Sequence, residues 1–194
     1  MKVLGIYCSP RKGGNTDILL DEALEAAAEA GAEIERIYCR KLKNLSGCIE
    51  CGGCDETGKC VVEDDMADVY PQLGTADAII LSVPIFFFNM PAQSKALVDR
   101  TQACWAARLL KKKTKEERKK YDSGKGWLIA VGATKGANLF TGMDLTAKYF
   151  YDALDMNYEG SLLVWSVEGK GSVREHPEHM QEARDLGQKI ATGG

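Results

Sequence analysis

Hydrophobic positions follow two alternating rhythms along this chain. Residues 2–8, 77–83 and 126–132 are short, nearly continuous apolar runs, the pattern of strands buried on both faces of a parallel sheet. Residues 33–39 form a weaker second strand and residues 161–167 a fifth. Between these runs the apolar spacing widens to that of helices. Leu19, Leu20, Ala23, Leu24 and Ala27 share one face of a helix that Asn15 or Thr16 caps and Gly31 stops. Further helices are predicted over 64–73, where Pro71 should kink the helix or end it early, and over 92–107, 143–154 and 177–190. Five strands alternating with five helices predict an α/β fold, a doubly wound five-stranded parallel sheet with helices on both faces. Ligands in that architecture bind at the carboxyl ends of the strands.

With 194 residues, 45% of them hydrophobic, the chain has room for one domain with a sizeable core and too little for a second complete one. A single domain over 1–194 is expected, without repeats or a linker. The net charge of −3 and pI near 5.5 argue against binding nucleic acid or anionic membranes through bulk charge, which leaves small molecules or protein partners. The apolar run at 3–8 is too short for a signal peptide, and no stretch approaches the ~20 apolar residues of a membrane span, so a cytoplasmic location is expected. Seven cysteines in a reducing compartment read as metal ligands, catalytic thiols or buried small hydrophobes. Cys8, Cys39 and Cys104 lie in apolar or mixed contexts and are expected to fill the core.

The other four stand together in Gly47-Cys48-Ile49-Glu50-Cys51-Gly52-Gly53-Cys54-Asp55-Glu56-Thr57-Gly58-Lys59-Cys60, a C-x2-C-x2-C-x5-C spacing within a loop at 47–61. A cubane iron-sulfur cluster needs three or four thiolates converging on one small volume. The x2 gaps let successive sulfurs turn inward, and Gly52, Gly53 and Gly58 let the loop wrap. A bacterial ferredoxin run closes with x3 and a proline, whereas here the last gap is x5 and Val61 follows, so the first three cysteines match best. Structural zinc usually takes two C-x2-C pairs further apart, and disulfides suit a secreted chain. Cluster, zinc and unoccupied thiols all stay open on spacing alone.

After the first strand, Cys8-Ser9-Pro10-Arg11-Lys12-Gly13-Gly14-Asn15-Thr16 leads straight into a helix. Such a loop suits a phosphate, since backbone N–H groups, Ser9, Asn15 and Thr16 can donate and Arg11 supplies charge; an ordinary turn with a helix cap would read the same way. Neither G-x-G-x-x-G nor G-x-x-x-x-G-K-[ST] occurs there, which disfavours dinucleotide and P-loop folds. Phe86, Phe87 and Phe88 follow a buried strand and cannot all face the core, so at least one meets a ligand or a second subunit. Residues 132–136, with two glycines and Lys135, suit close approach to a ring or a plain turn. The basic segment 108–125, with Lys111, Lys112, Lys113, Lys115, Arg118, Lys119 and Lys120, reads as a solvated face, or as a docking surface for an acidic carrier or for NADPH phosphates. His176 and His179 are expected to cap the last helix or face water, without catalysis.

Taken in order, Ser9 to Thr16, the cysteine loop, Asp64-Asp65-Met66, Ser82-Val83-Pro84-Ile85-Phe86-Phe87 and Lys95-Ala96-Leu97-Val98-Asp99-Arg100 resemble an iron-sulfur flavoprotein of the NADPH-dependent FMN reductase family, over nearly the whole length. The resemblance implies a flavodoxin-like fold. It also implies that Ser9, Arg11, Asn15 and Thr16 grip the FMN phosphate, that Pro84, Ile85, Phe86, Phe87 and Asn89 lie along the isoalloxazine, and that Ala133, Thr134, Lys135 and Gly136 reach its other edge. Lys135 would then stand by the N1–C2 edge of an anionic reduced ring. Cys48, Cys51, Cys54 and Cys60 would ligate a 4Fe-4S cluster near the flavin. The family often has Tyr at the position of Phe86, so any hydrogen bond from that hydroxyl is absent here. The implied activity is FMN-dependent electron transfer between FMN, the cluster and a partner (ferredoxin, NAD(P)H or quinone) in a homodimer or homotetramer, and no side chain is required as a catalytic acid or base. Relatives without a cluster exist, so the alternative is an NAD(P)H-dependent FMN or quinone reductase with an unoccupied cysteine loop. A reading of another class is a sensor or binding module whose cysteines hold zinc or meet oxidants.

Overall fold

A computed structural model describes residues 1–193. Five parallel strands, β1 (Lys2–Tyr7), β2 (Glu33–Tyr38), β3 (Ala78–Pro84), β4 (Gly124–Val131) and β5 (Met156–Val164), form one sheet in the order β2-β1-β3-β4-β5. The central strands β1, β3 and β4 bury both faces, which is why their sequences are unbroken apolar runs. On one side Leu4, Ile6, Ile79 and Leu81 join a core completed by α2 (Met66–Thr75), α3 (Ala92–Arg100), α4 (Gln102–Lys111) and α5 (Thr141–Ala153). On the other, Val3, Tyr7, Ile80 and Ile129 pack under α1 (Asn15–Glu29) and α6 (Pro177–Thr192). The doubly wound α/β expectation is met. α6 lies backbone to backbone on α1: a Cβ placed on Gly187 would fall 1.8 Å from the carbonyl oxygen of Ala23.

Three expected elements differ. The fifth strand begins at Met156 and ends at Val164 instead of covering 161–167. It is an edge strand, alternating buried and exposed residues, so its first half lacks the apolar run that marks an interior strand. Pro71 does not end the second helix early; α2 runs on to Thr75. The carbonyl of Ala67, which loses its partner N–H at Pro71, belongs to an exposed residue that water can reach. The helix expected over 92–107 is two helices, broken at Thr101, whose hydroxyl donates to the carbonyl of Val98 (2.6 Å).

Connections leave β1 and β3 toward opposite edges of the sheet, so a crevice opens between their carboxyl ends. The loops following β1, β2, β3, β4 and β5 all emerge at that end. The four clustered cysteines belong to the long loop after β2.

Candidate functional site

The cysteine loop folds around a cavity of about 330 Å³ lined by Cys48, Cys51, Cys54 and Cys60, with Arg100 in its wall. Left-handed backbone at Gly52 (φ 71°) and Gly58 (φ 68°) turns the chain where a side chain would be strained, and the N–H of Gly58 donates to the carbonyl of Cys54 (2.7 Å). Gly58 also seats the loop on α4, because a Cβ there would lie 2.6 Å from Cβ of Ala107. Among the described residues no three of the cysteine sulfurs lie within 4.8 Å of one another, although all four face one cavity. Tetrahedral zinc, with Zn–S near 2.3 Å, would draw its sulfurs to about 3.8 Å apart. As they stand the sulfurs are spread more widely than one zinc ion would hold them, and four thiolates lining one cavity suit a larger thiolate-bound group.

Arg100, 2% exposed, donates to Cys60 Sγ (3.3 Å) and is paired with Asp64. Burial raises the Cys60 thiol, but the Val62 N–H, Arg100 and Tyr70 outweigh it, and the net pKa lies below the ordinary cysteine value. Cys54 is shifted the other way by burial and by the neighbouring Asp55 carboxylate. The family resemblance includes Asp64 and Arg100 without implying a role for either. The available signal was Arg100's place one turn after Leu97, on the buried side of an amphipathic helix.

At the crevice a second cavity, about 240 Å³, is lined by Ser9, Arg11, Asn15, Thr16, Pro84, Ile85, Phe86 and Ala133. Eight predicted residues from three separate loops thus meet. Val167 and Glu168, from the loop after β5, join them and were missed, because the fifth strand was expected to run through 167. The first loop is tightly organised. Ser9 Oγ accepts the Arg11 N–H (3.1 Å), Asp17 accepts the Gly13 N–H (2.9 Å), and Arg40 pairs with Asp17 (3.0 Å) while donating to the carbonyl of Ser9 (3.2 Å). Burial raises the Asp17 pKa, although Gly13 and Arg40 favour its ionised form. The first N–H groups of α1 have no carbonyl to meet within the helix, and they open beside this loop.

Other predicted residues stand elsewhere. The Asn15 amide is occupied structurally: it donates to the carbonyl of Gly169 (2.8 Å) and accepts the Val173 N–H (3.3 Å), leaving its backbone N–H for an anion. Phe86 and Asn89 pair across a two-residue turn whose central residues, Phe87 (φ 48°) and Phe88 (φ 62°), are both left-handed, and Phe87 is fully exposed rather than beside Phe86 in the crevice. The Asn89 side chain is held by Thr146 (3.2 Å) and by the N–H of Met90 (2.9 Å). Thr134 and Lys135 are exposed next to Ala133, and Gly136 lines a separate shallow cavity with Phe140 and Trp165. Cys8 and Cys39 fill the core as expected; Cys104 is half-buried, and burial pushes its thiol up to about 11.

The basic segment is not simply a solvated face. Arg108 and Lys112 are buried, and both bind Asp155 (2.8 and 2.6 Å), which folds residues 112–123 back onto the end of α5. Lys111, Lys113, Lys115 and Lys120 are exposed. His179 and His176 rest against Glu182 (2.9 Å) and Glu178 (3.3 Å). No helix among the described residues is long and apolar enough to cross a membrane.

The family of NADPH-dependent FMN reductases matches residues 1–156. An iron-sulfur flavoprotein of Methanocaldococcus jannaschii is 32% identical over 98% of this chain and 96% of its own length. The iron-sulfur flavoprotein of Methanosarcina thermophila is 41% identical over 52% of each chain. Among solved structures, a flavone reductase superposes with a TM-score of 0.75 at 20% identity, over 99% of this chain and 62% of its own. The NAD(P)H:quinone oxidoreductase from Methanothermobacter marburgensis gives 0.71 at 17% identity, over 98% and 96%. These last two show a common fold. With the thiol-lined loop and the phosphate-type loop at one end of the sheet, the chain belongs to the NADPH-dependent FMN reductase family, among its iron-sulfur flavoproteins, and is a flavin-dependent oxidoreductase.

Proposed function

We propose that this protein is an FMN-dependent electron-transfer oxidoreductase that moves electrons between FMN at the crevice, a 4Fe-4S centre in the cysteine loop and a partner. The observation that carries it is the convergence of Cys48, Cys51, Cys54 and Cys60 on one cavity with a buried guanidinium in its wall, at the sheet end that also holds the phosphate-type loop. FMN supplies uptake of an electron pair with release one at a time, and a 4Fe-4S centre supplies a one-electron stage.

The chain's own residues bind, orient and shield. The α1 N-terminus, the Ser9 hydroxyl and Arg11 receive the FMN phosphate; the Ser9 proton rests on the Arg11 carbonyl at a long 3.2 Å and is free to turn. Pro84, Ile85 and Phe86 give an apolar edge to the ring, with Ile85 fixed by its N–H to the carbonyl of Val131 (2.9 Å). The cavity is smaller than the ~300 Å³ lower bound of ordinary ligand sites, so part of the flavin lies over open surface. Phe87 and Phe88 rise beside that surface and suit contact with a second copy of the chain in a homodimer or homotetramer. NAD(P)H, quinone and an acidic ferredoxin-like carrier are the partner classes that the flavin and the exposed lysines admit.

Cys48 and Cys51 are exposed, which favours a second reading, an NAD(P)H-dependent FMN or quinone reductase whose loop carries free thiols. Anaerobic purification, an absorption spectrum and assays of iron, acid-labile sulfide and released flavin on one sample separate the two. A flavin spectrum with a broad shoulder near ~400 nm and about four iron per chain supports the relay. Yellow protein without iron leaves the reductase, and zinc without flavin overturns both.

A further inference from the structure

The guanidinium of Arg100 touches both ends of the cysteine loop. Its Nη1 donates to the carbonyl of Ser46 (3.2 Å), before Cys48; its Nη2 donates to the carbonyl of Val62 (3.4 Å), beyond Cys60, and to Cys60 Sγ (3.3 Å). Asp64, a little further along, binds both nitrogens, Nη2 at 3.1 Å. One buried side chain at the end of α3 therefore closes the base of the loop. Its third nitrogen, Nε, is buried with no protein partner among the described residues. A buried donor without an acceptor is costly, so this guanidinium is built to meet one more acceptor than the polypeptide offers.

We propose that Arg100 is a positioning residue that sets both the closure of the cysteine loop and the electron affinity of the cluster held there, by forking across Ser46 and Val62 while donating to the Cys60 thiolate. The inference rests on the reading that the loop carries a 4Fe-4S centre. When such a centre takes one electron from reduced flavin, its net charge becomes more negative by one, and no bond to the protein forms or breaks. A donor fixed on one of its thiolates favours the reduced state, because hydrogen bonds to the sulfurs stabilise the added negative charge. Asp64 offsets part of the cation's field, so the effect comes from the directed N–H···S bond and from the orientation of the Arg100–Asp64 dipole. Lysine could keep the charge but not reach both carbonyls and the sulfur together, since it lacks the planar fork.

Arg100→Gln and Arg100→Lys are to be compared with the unaltered protein in two measurements. The cluster potential is read by redox titration followed by electron paramagnetic resonance. Hydrogen exchange of the amides in residues 46–64 is followed in metal-free protein. Arg100→Gln is expected to lower the equilibrium constant for one-electron reduction at least tenfold, about 59 mV, and to speed exchange in the loop at least tenfold. Arg100→Lys, whose ammonium can donate to the sulfur only without the carbonyl contacts, should recover part of the potential and little of the exchange protection. Loaded Arg100→Gln protein with an unchanged potential overturns the tuning role, and unchanged exchange overturns the clasp. Should Arg100→Gln fail to fold, Arg100→Lys decides: loop exchange equal to that of the unaltered protein refutes the proposal. An unaltered protein that never takes up iron would instead sink the cluster reading, and the exchange data would still decide the clasp.

Discussion

Replacing Gly58 with alanine should cost the protein its cysteine loop while leaving the rest of the fold in place. Two separate penalties act there. Gly58 has φ 68°, and left-handed backbone costs a residue with a Cβ about 1–2 kcal/mol. The added methyl would also sit 2.6 Å from Cβ of Ala107, 2.7 Å from its Cα and 3.1 Å from its N. That neighbour is helix backbone, which cannot swing aside, and overpacking of this kind adds about 1–3 kcal/mol. Together these come to about 2–5 kcal/mol, a shift of roughly thirtyfold to several thousandfold against the docked loop. Gly52 provides the control. Its φ of 71° carries the same backbone strain, but the nearest atom to a new Cβ is a carboxylate oxygen of Asp55 at 3.3 Å, on a side chain that can rotate away. Gly52→Ala should therefore cost only about 1–2 kcal/mol. The assay is iron retained per chain after desalting, with hydrogen exchange of residues 54–60 on the same samples. On the reading that the loop carries a 4Fe-4S centre, Gly58→Ala is expected to retain far less iron than the unaltered protein and to lose its exchange protection, and Gly52→Ala to keep the greater part of both. Equal behaviour of the two variants would refute the claim that docking on α4 shapes the site.

Asn15→Ala removes the donor to the Gly169 carbonyl and the acceptor of the Val173 N–H, so it should destabilise the protein by about 1–3 kcal/mol and weaken flavin retention, seen by urea unfolding and by equilibrium dialysis of FMN. Unaltered flavin affinity would show that the loop after β5 does not organise the phosphate site. The turn at Phe87 and Phe88 asks two aromatic residues to adopt a conformation that Asn-Gly adopts readily. Phe87→Asn with Phe88→Gly should raise stability in dilute protein by roughly 1–2 kcal/mol and reduce self-association on a sizing column. An unchanged or lower urea midpoint would mean that the phenylalanines carry no strain.

What could be read in the sequence was set by how local the governing physics is. β1, β3 and β4 are buried on both faces, so each announces itself as a continuous apolar run, and the parallel topology follows from their alternation with helices. β5 sits at the edge, where half its residues face water and the signal thins, which displaced its ends by several residues. The cysteine spacing and the loop from Ser9 to Thr16 were legible because each is one short segment with its own chemistry. Apart from its place on the buried side of α3, nothing local marked Arg100 as buried, and the burial of Arg108 and Lys112 was not legible at all. Each is buried through partners far away in sequence, Asp64 for the first and Asp155 for the other two, and such pairings follow from packing rather than from local pattern. The same distance hid the engagement of the Asn15 amide with residues 169 and 173.

The backbone contact between Gly187 and Ala23, together with the Asn15 bonds to Gly169 and Val173, ties the first helix of the chain to its last. Synthesis runs from the N-terminus, so the loop from Ser9 to Thr16 leaves the ribosome well before residues 169, 173 and 187 and lacks their support until they follow. Flavin binding at this loop should therefore await residues 169–187. A chain stalled before residue 169 should hold no flavin, whereas one that includes residues 1–194, refolded in its presence, should. A nascent chain of that length that retained flavin would show that the early loop forms without its late partners.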